Sequence, residues 1–320
     1  MSRSRTGRIL GLVAVVVLLS TVSAPANAGT MSKRFPLPVR GSLPQGIATG
    51  PDGNLWFVEY TRNVIGRITP QGTIRELHAP VTISSAQNIT AGPDGNMWFT
   101  EVSSNQIGRV TLDGVFTEFT LPNGEKRPFD ITAGPDGAVW LTIDESDYIG
   151  RMTPDGHFTQ FAVPTSIAYP SGIVTGPDGN LWFTEFEANK IGRITPAGRF
   201  TEFPVPTPFA YPFDITVGPD GNLWFTESYV DQIGRITTGG TIDEFPVPTS
   251  GSGLSDIAPG SDGKLWFTEH YAKRIGRIST DGQVEEGPAV WAGPTGITLG
   301  PDGNVWFTAA YAIGAYHVTP

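Results

Sequence analysis

A tryptophan returns along this chain at a nearly fixed spacing, and that spacing restricts the fold more than any other feature. Trp56, Trp98, Trp140, Trp182, Trp224 and Trp266 stand 42 residues apart, and Trp306 follows after 40. Each lies in a variant of one phrase, whose clearest copies read G-P-D-G-N-L-W-F-T-E. Self-similarity at this period marks an array of one repeated supersecondary unit. The unit at 172–206 contains four extended runs, at 172–175, 181–184, 191–194 and 200–205. P-D-G and P-A-G turns, which tolerate left-handed backbone, separate runs of β-branched and aromatic residues. Helical periodicity is absent, and runs such as Leu181-Trp182-Phe183-Thr184 do not alternate, so both faces of the strand are buried. Four short strands per unit make a blade, and blades bury both faces only by stacking around an axis. The sequence therefore predicts an all-β, seven-bladed β-propeller of four-stranded antiparallel blades over residues 29–320.

The chain ends support the same reading. The seventh unit stops after its third strand and lacks the outer F-T-E-F-P-V-P segment, while residues 34–38 precede the first unit. One N-terminal strand completing the last blade closes the ring and removes an exposed edge.

Ahead of the repeats, Arg3, Arg5 and Arg8 precede an apolar run at 9–22 and the small residues Ala26-Asn27-Ala28. This is the pattern of a secretory signal peptide over residues 1–28, cleaved after Ala28. Its apolar run is shorter than the roughly 20 residues that a membrane span requires. A secreted protein without a membrane span is expected, and a closed ring makes a monomer the simplest state. The chain has no cysteine, so its stability must come from one large core and not from crosslinks. Its net charge is -10, more negative still without the three leader arginines. Such a charge disfavours nucleic acid and anionic membranes, and suits a neutral or cationic small molecule or peptide, or a metal.

Two repeated polar residues read as structural. The glutamate ending W-F-T-E recurs as Glu59, Glu101, Glu185, Glu227 and Glu269, and an arginine follows in I-G-R as Arg67, Arg109, Arg193, Arg235 and Arg277. Both are lost together in the seventh unit, as Ala309 and Ala315. A repeated Glu-Arg ion pair tying the strand ends is expected. The phased tryptophans are expected to fill the wedge between blades; Trp291 lies outside that phase.

In a four-stranded meander, the loop leading into the first strand and the loop leaving the second open on the same face. The first set supplies Gln45, Gln87, Phe129, Ser171, Phe213, Ser255 and Thr295, followed by Gly46, Asn88, Asp130, Gly172, Asp214, Asp256 and Gly296. The second supplies Tyr60, Val102, Asp144, Phe186, Ser228, His270 and Ala310. Asp130, Asp214 and Asp256 should converge on the central channel, with Asp144 and His270 at its rim. Converging carboxylates suit a hard cation, Mg2+ or Ca2+; alternatively each caps the backbone of the neighbouring loop. His270 is the only histidine on this face and the only candidate base. Tyr60, Phe129, Phe213 and Phe186 favour an apolar ligand.

The four phrases P-x-G-I-T, W-F-T-E, I-G-R-I-T and I-T-E-F, repeated over seven units, resemble the virginiamycin B (streptogramin B) lyase family across the whole chain after the leader. The resemblance implies the propeller, and it implies elimination at the ester bond of a cyclic depsipeptide antibiotic with a bound Mg2+. The family opens its sixth and seventh units with P-H-A-I or P-H-G-I; here these read Leu254-Ser255-Asp256-Ile257 and Pro294-Thr295-Gly296-Ile297. Its two glutamates align with Gly293 and Ala310. Two functions follow: a small-molecule or cell-surface binding module that lacks the family's chemistry, or a metal-dependent lyase or lactonase working from His270 and the channel carboxylates.

Overall fold

The computed structural model describes residues 30–39, 41–62, 64–78, 85–122 and 127–318; the secretory segment expected at 1–28 lies outside them. The described strands form seven four-stranded antiparallel sheets. Blades 1 to 6 are consecutive meanders, represented by blade 4: Pro170–Thr175, Leu181–Glu185, Lys190–Ile194 and Phe200–Pro204. Blade 7 runs Pro294–Leu299, Val305–Ala309 and Ala312–His317, and its outer strand is Thr30–Pro36 from the other end of the chain. No described helix is long and apolar enough to cross a membrane.

The closing strand delivers more than backbone pairing. In blades 2 to 5 an outer-strand phenylalanine stacks on the blade's tryptophan, as Phe119 does on Trp98 at 5.4 Å and Phe203 on Trp182 at 5.5 Å. Phe35 of the N-terminal strand takes the same place on Trp306, at 5.2 Å and 12° between planes. The seven phased tryptophans are at most 1% exposed. Each indole N–H donates to the aspartate of the preceding P-D-G or S-D-G turn, four residues earlier, at 2.9–3.1 Å. Trp291 packs beneath blade 7 against Phe307, with the Arg34 guanidinium over its ring.

The expected Glu-Arg pair does not form, and strand register gives the reason. Arg67 lies opposite Trp56, at the P-D-G end of the strand, whereas Glu59 pairs with Val64 at the other end. Three residues of strand separate them by about 10 Å. The I-G-R arginine instead covers its own tryptophan ring, at 5.3–5.6 Å in blades 1, 2, 4, 5 and 6. It also reaches the turn aspartate, as in Arg67–Asp52 at 3.3 Å and Arg277–Asp262 at 3.1 Å. Its Nη1 crosses to a carbonyl of the next blade: Arg67 to Leu112, Arg109 to Pro154, Arg193 to Thr238 and Arg235 to Thr280. One side chain thus holds a turn, a core ring and the neighbouring blade.

The glutamates face carboxyls. Glu59, Glu101, Glu185, Glu227 and Glu269 are fully buried, and each has an outer-strand glutamate of its own blade nearby: Glu76, Glu118, Glu202, Glu244 and Glu286. In blade 3 both members are absent together, as Ile143 and Gln160. Neither carboxyl oxygen of Glu185 or Glu269 has a hydrogen-bond donor. Burial first, and the second glutamate next, push Glu185, Glu227 and Glu269 up to about 8. Glu59 is raised to about 7 by burial and Glu76 against the pull of Arg62; Glu101 reaches about 7 mainly through burial. These groups are held as neutral acids at the neutral end of their range.

Because the folded carboxyls ionise less readily than those of the unfolded chain, their stabilisation is complete below the ordinary value near 4.5 and is lost as pH rises through 7 and 8. Thermal stability should therefore rise between pH 8 and pH 5, by about 5 °C or more. At pH 8 Glu185→Gln should melt no lower than the parent and should flatten this dependence. A Glu-Arg pair would instead predict a loss of roughly 3–5 kcal/mol on breaking it, so a large destabilisation by Glu185→Gln at pH 8 contradicts the carboxyl pairing.

Candidate functional site

The first strand of every blade lines the channel and packs against the first strands of its neighbours. In each, the pairing register shifts within the first four residues, as between Pro128 and Ile131, or between Leu254 and Ile257. A bulge re-aims the residues it contains. The two shifted residues are those read from the sequence as the channel ring.

The W-F-T-E threonine fixes the bulge. Its Oγ1 accepts the N–H of the second shifted residue and donates to the carbonyl of the first shifted residue in the next blade. Thr308 does so between Gly296 N–H, at 2.8 Å, and Gln45 O, at 2.6 Å, which carries the latch across the ring closure. Each Thr hydroxyl thus satisfies one donor and one acceptor that the bulge frees.

Asp130, Asp214 and Asp256 do converge, with Asn88, on a cavity of about 130 Å³ that Gln45, Gln87, Phe129, Phe213, Ser255 and Thr295 also line. Of the two arrangements expected for them, the described structure has backbone capping. Asp130 accepts from Ile131 N–H and, in the next blade, Ile173 N–H, both at 2.7 Å, and from the Asn88 amide. Asp214 accepts from Ile257 N–H at 3.0 Å, and Asp256 from Ile257 and Ile297 N–H at 2.7 and 2.9 Å. A hard cation requires six to eight oxygens turned toward it. These carboxylates are turned toward amides, and among the described residues no group of three or more His, Asp or Glu side chains is placed to share a metal ion. The set does not fit a Mg2+ or Ca2+ cage.

The channel carboxyls hold protons instead. Burial, then the charge of Asp214, push Asp130 up to about 8 despite its amide partners. Asp214 and Asp256 lie within hydrogen-bonding reach of each other: burial, then the charge of Asp256, raises Asp214 well above the usual carboxylate range, while burial raises Asp256 less, against the hydrogen bond from Asp214, so that the pair retains a proton well above that range.

Above this throat lies a wider hollow of about 440 Å³, lined by Phe186, Phe213, Tyr229 and Tyr271 together with Ser228, Ser255, His270, Thr295 and Gln45; the Tyr271 ring lies against the His270 imidazole, at 5.4 Å. His270 Nδ1 lies 3.1 Å from the Pro294 carbonyl. A neutral ring with its proton on Nδ1 donates there and leaves Nε2 as the acceptor. Its place explains Gly293: a Cβ at 293 would sit 2.6 Å from the His270 carbonyl oxygen and 2.8 Å from imidazole atoms. The imidazole therefore fills the space that a side chain at 293 would enter.

Two expected rim residues lie elsewhere. Asp144 is buried in a single turn of helix at Asp144–Ser146 beside Arg127, which also pairs with Glu145 and lies within electrostatic reach of Tyr60. Burial raises Asp144 while Arg127 opposes it. Neither Asp144 nor Tyr60 lines the throat or the hollow. Phe129 meets Phe213 edge-on at 5.8 Å, and Phe213 meets Phe186 at 6.0 Å, so the expected aromatic residues form one wall. Sequence reasoning missed Tyr211 and Tyr229, which extend that wall through Phe186, and Tyr271, which lies against His270. The signal present was a second, weaker repeat, T-S-I-A-Y-P at 165–170 and T-P-F-A-Y-P at 207–212.

Asn88 already serves in blade 2 where blades 3, 5 and 6 have aspartate, so Asp214→Asn should fold. Without the Asp214 charge, Asp130 should titrate closer to the ordinary carboxylate range, as followed by carboxyl-carbon NMR. An unchanged Asp130 titration contradicts the coupling.

The family model of virginiamycin B lyase matches residues 22–128 and 118–319. Comparison with curated protein sequences returns no match. Among solved structures, a streptogramin B lyase is 39% identical with a TM-score of 0.86, covering 90% of this chain and 97% of that one. The selenomethionine-substituted virginiamycin B lyase of Staphylococcus aureus is 38% identical, with a TM-score of 0.85 and coverage of 90% and 99%. A catalytically inactive histidine-to-alanine variant of the S. aureus enzyme, with quinupristin, gives 39%, 0.86, and 90% and 99%. A Kuenenia stuttgartiensis hydrazine synthase structure, at 14% identity and a TM-score of 0.72, shares the fold alone. With its seven blades, its channel bulges and these matches, the chain belongs to the virginiamycin B lyase family.

Proposed function

We propose that the protein is a secreted binding module that holds an apolar small molecule at the channel mouth without transforming it. One observation carries this reading: a hollow of about 440 Å³, within the usual size of ligand sites, is lined by four aromatic side chains together with hydroxyls and one imidazole. The positions that match the family's polar groups hold Ser255, Gly293, Thr295 and Ala310. Proton abstraction beside a carbonyl needs a base, and an enolate needs a cation or donors to hold its charge. Hydroxyls and a glycine supply neither the base nor the cation. Export rests on the leader pattern at 1–28.

A second reading, catalysis from a displaced base, has one observation in its favour. His270 presents Nε2 as acceptor beside the hollow, in space left by Gly293. The two readings separate on one experiment with quinupristin, the ligand present in a relative's structure. Calorimetry should show saturable binding to the purified chain, and chromatography with fragmentation should recover the cyclic compound unchanged after prolonged incubation. Fragmentation is essential, because elimination yields a linear isomer of the same mass. Linear product that disappears with His270→Ala would replace binding by catalysis; absence of any binding would remove this ligand class.

A further inference from the structure

The paired strand-end carboxyls are not completed alike in every blade. In blades 4, 5 and 6 the outer-strand glutamate takes the same two donors from the loop that leads into its blade. Glu202 accepts the N–H and hydroxyl of Thr165 at 3.1 and 2.8 Å, and Glu244 those of Thr207, both at 2.9 Å. Glu286 accepts those of Thr249 at 2.8 and 2.9 Å. The buried partner glutamate stands opposite the first residue of the third strand: Glu185 opposite Lys190, Glu227 opposite Gln232 and Glu269 opposite Arg274. Two residues further on, the third strand faces the outer-strand glutamate, so the pleat puts all three side chains on one face of the blade.

That first residue decides what the two carboxyls meet. In blade 4 Lys190 Nζ donates to Glu202 Oε2 at 2.7 Å and to Thr165 Oγ1 at 2.6 Å, and its charge also acts on Glu185. In blade 6 Arg274 Nη1 donates to Glu286 Oε2 at 3.3 Å and its charge acts on Glu269. In blade 1 Arg62 reaches both Glu59 and Glu76, and in blade 2 the Ser104 hydroxyl donates to Glu101 at 3.0 Å. Blade 5 has Gln232 in this position, and no cation.

Glu227 is fully buried and neither of its oxygens has a donor; Gln232 Oε1 is buried without one as well. Glu227 also lies within hydrogen-bonding reach of Glu244. A proton shared by the two carboxyls satisfies one of these three acceptors and leaves two unmet. Buried oxygens without donors, gathered at the place where flanking blades hold a positive group, are what a cation site presents.

We propose that blade 5 binds a Ca2+ ion where blades 4 and 6 supply an ammonium or guanidinium of their own. Its ligands are Glu227, Glu244 Oε2, Thr207 Oγ1 and Gln232 Oε1, the counterparts of the groups around Lys190 Nζ. Two carboxylates match the charge of a divalent ion. Ca2+ accepts carboxylates, neutral side-chain oxygens and water in adaptable sets of six to eight, whereas Mg2+ demands a near-ideal octahedron. None of these residues lines the throat or the hollow, so the site is separate from the mouth and does not rest on its reading as a ligand site. It has a structural consequence there all the same. The Thr207 carbonyl accepts Asn189 Nδ2–H at 3.0 Å, and Asn189 Oδ1 accepts the N–H groups of Ala210 and Tyr211 at 2.8 and 3.3 Å. The ion therefore fastens the outer strand of blade 5 to the loop that leads to Phe213.

The test is equilibrium dialysis of the chelator-stripped mature chain against Ca2+ at pH 8, with melting curves alongside. The parent should bind a single ion and melt a few degrees higher with it than without. Gln232→Lys rebuilds the blade 4 arrangement in blade 5. It should bind no Ca2+ and, without the ion, should melt at least as high as the loaded parent. Lys190→Gln does the reverse and should gain a second ion. A parent that binds no Ca2+ overturns the proposal, as does undiminished binding by Gln232→Lys. Lys190→Gln that folds and still binds a single ion also overturns it, because the residue opposite the buried glutamate then does not decide the site.

Discussion

The interaction on which the rest of this molecule depends is the triangle of turn aspartate, tryptophan and arginine within each blade. The indole N–H is a buried donor that water cannot reach, and the P-D-G aspartate satisfies it from four residues away. That aspartate would be raised by burial, but hydrogen bonds from the tryptophan and asparagine, joined by the arginine charge, hold Asp52, Asp94 and Asp178 below the ordinary range. The arginine covers the ring and extends to the next blade's carbonyl. Turn, core and blade-to-blade contact are therefore one unit, repeated at the period of the sequence. Blade 7 has Ala315 in place of the arginine, and Phe35 stacks on its tryptophan as the outer-strand phenylalanines do in blades 2 to 5.

With that frame fixed, the channel mouth is free to vary. Threonine latches hold the backbone of the bulges in six blades, so the bulge side chains can differ from blade to blade, and only some of them, Asp130, Asp214 and Asp256, add hydrogen bonds to the next blade. At those positions the chain has Gln, Ser, Thr, Phe, Asn, Asp and Gly. The same logic runs through the loops that lead into the first strands of blades 4, 5 and 6, where Asp147, Asn189 and Asp231 accept the loop N–H groups and the residues between differ. Buried carboxyls lie at both levels of the structure, the strand-end glutamates in the blades and the aspartates in the throat, and burial and neighbouring carboxyls raise both sets, whereas the turn aspartates stay ionised. A chain with this acidic net charge avoids much of its own repulsion in this way.

The fold was legible because a 42-residue period admits few architectures and because the missing outer strand of the last unit matched a surplus strand at the start. The positions of the channel ring were legible too, since meander topology alone places Asp130, Asp214, Asp256, Phe129, Phe213 and His270 on one face. Side-chain partnership was not. Glu59 and Arg67 are close in sequence and lost together in the last unit, yet register puts them at opposite ends of a strand, which spacing alone does not reveal. Asp144 occupies the expected loop but turns toward Arg127, a residue outside the repeat phrases. The left-handed backbone at Ile167 and Phe209 stayed hidden because it contradicts their propensities, and a propensity argument reads such residues as ordinary loop or core.

The central claim is that the frame of this family is retained here while its mouth holds a ligand intact. A crystal structure of the mature chain grown with quinupristin tests it most directly. The account predicts the intact ring between the Phe186–Tyr229 wall and His270, over a throat whose aspartates still cap the neighbouring blades. A ring-opened compound in that place, or the ligand bound anywhere else on the propeller, would contradict it.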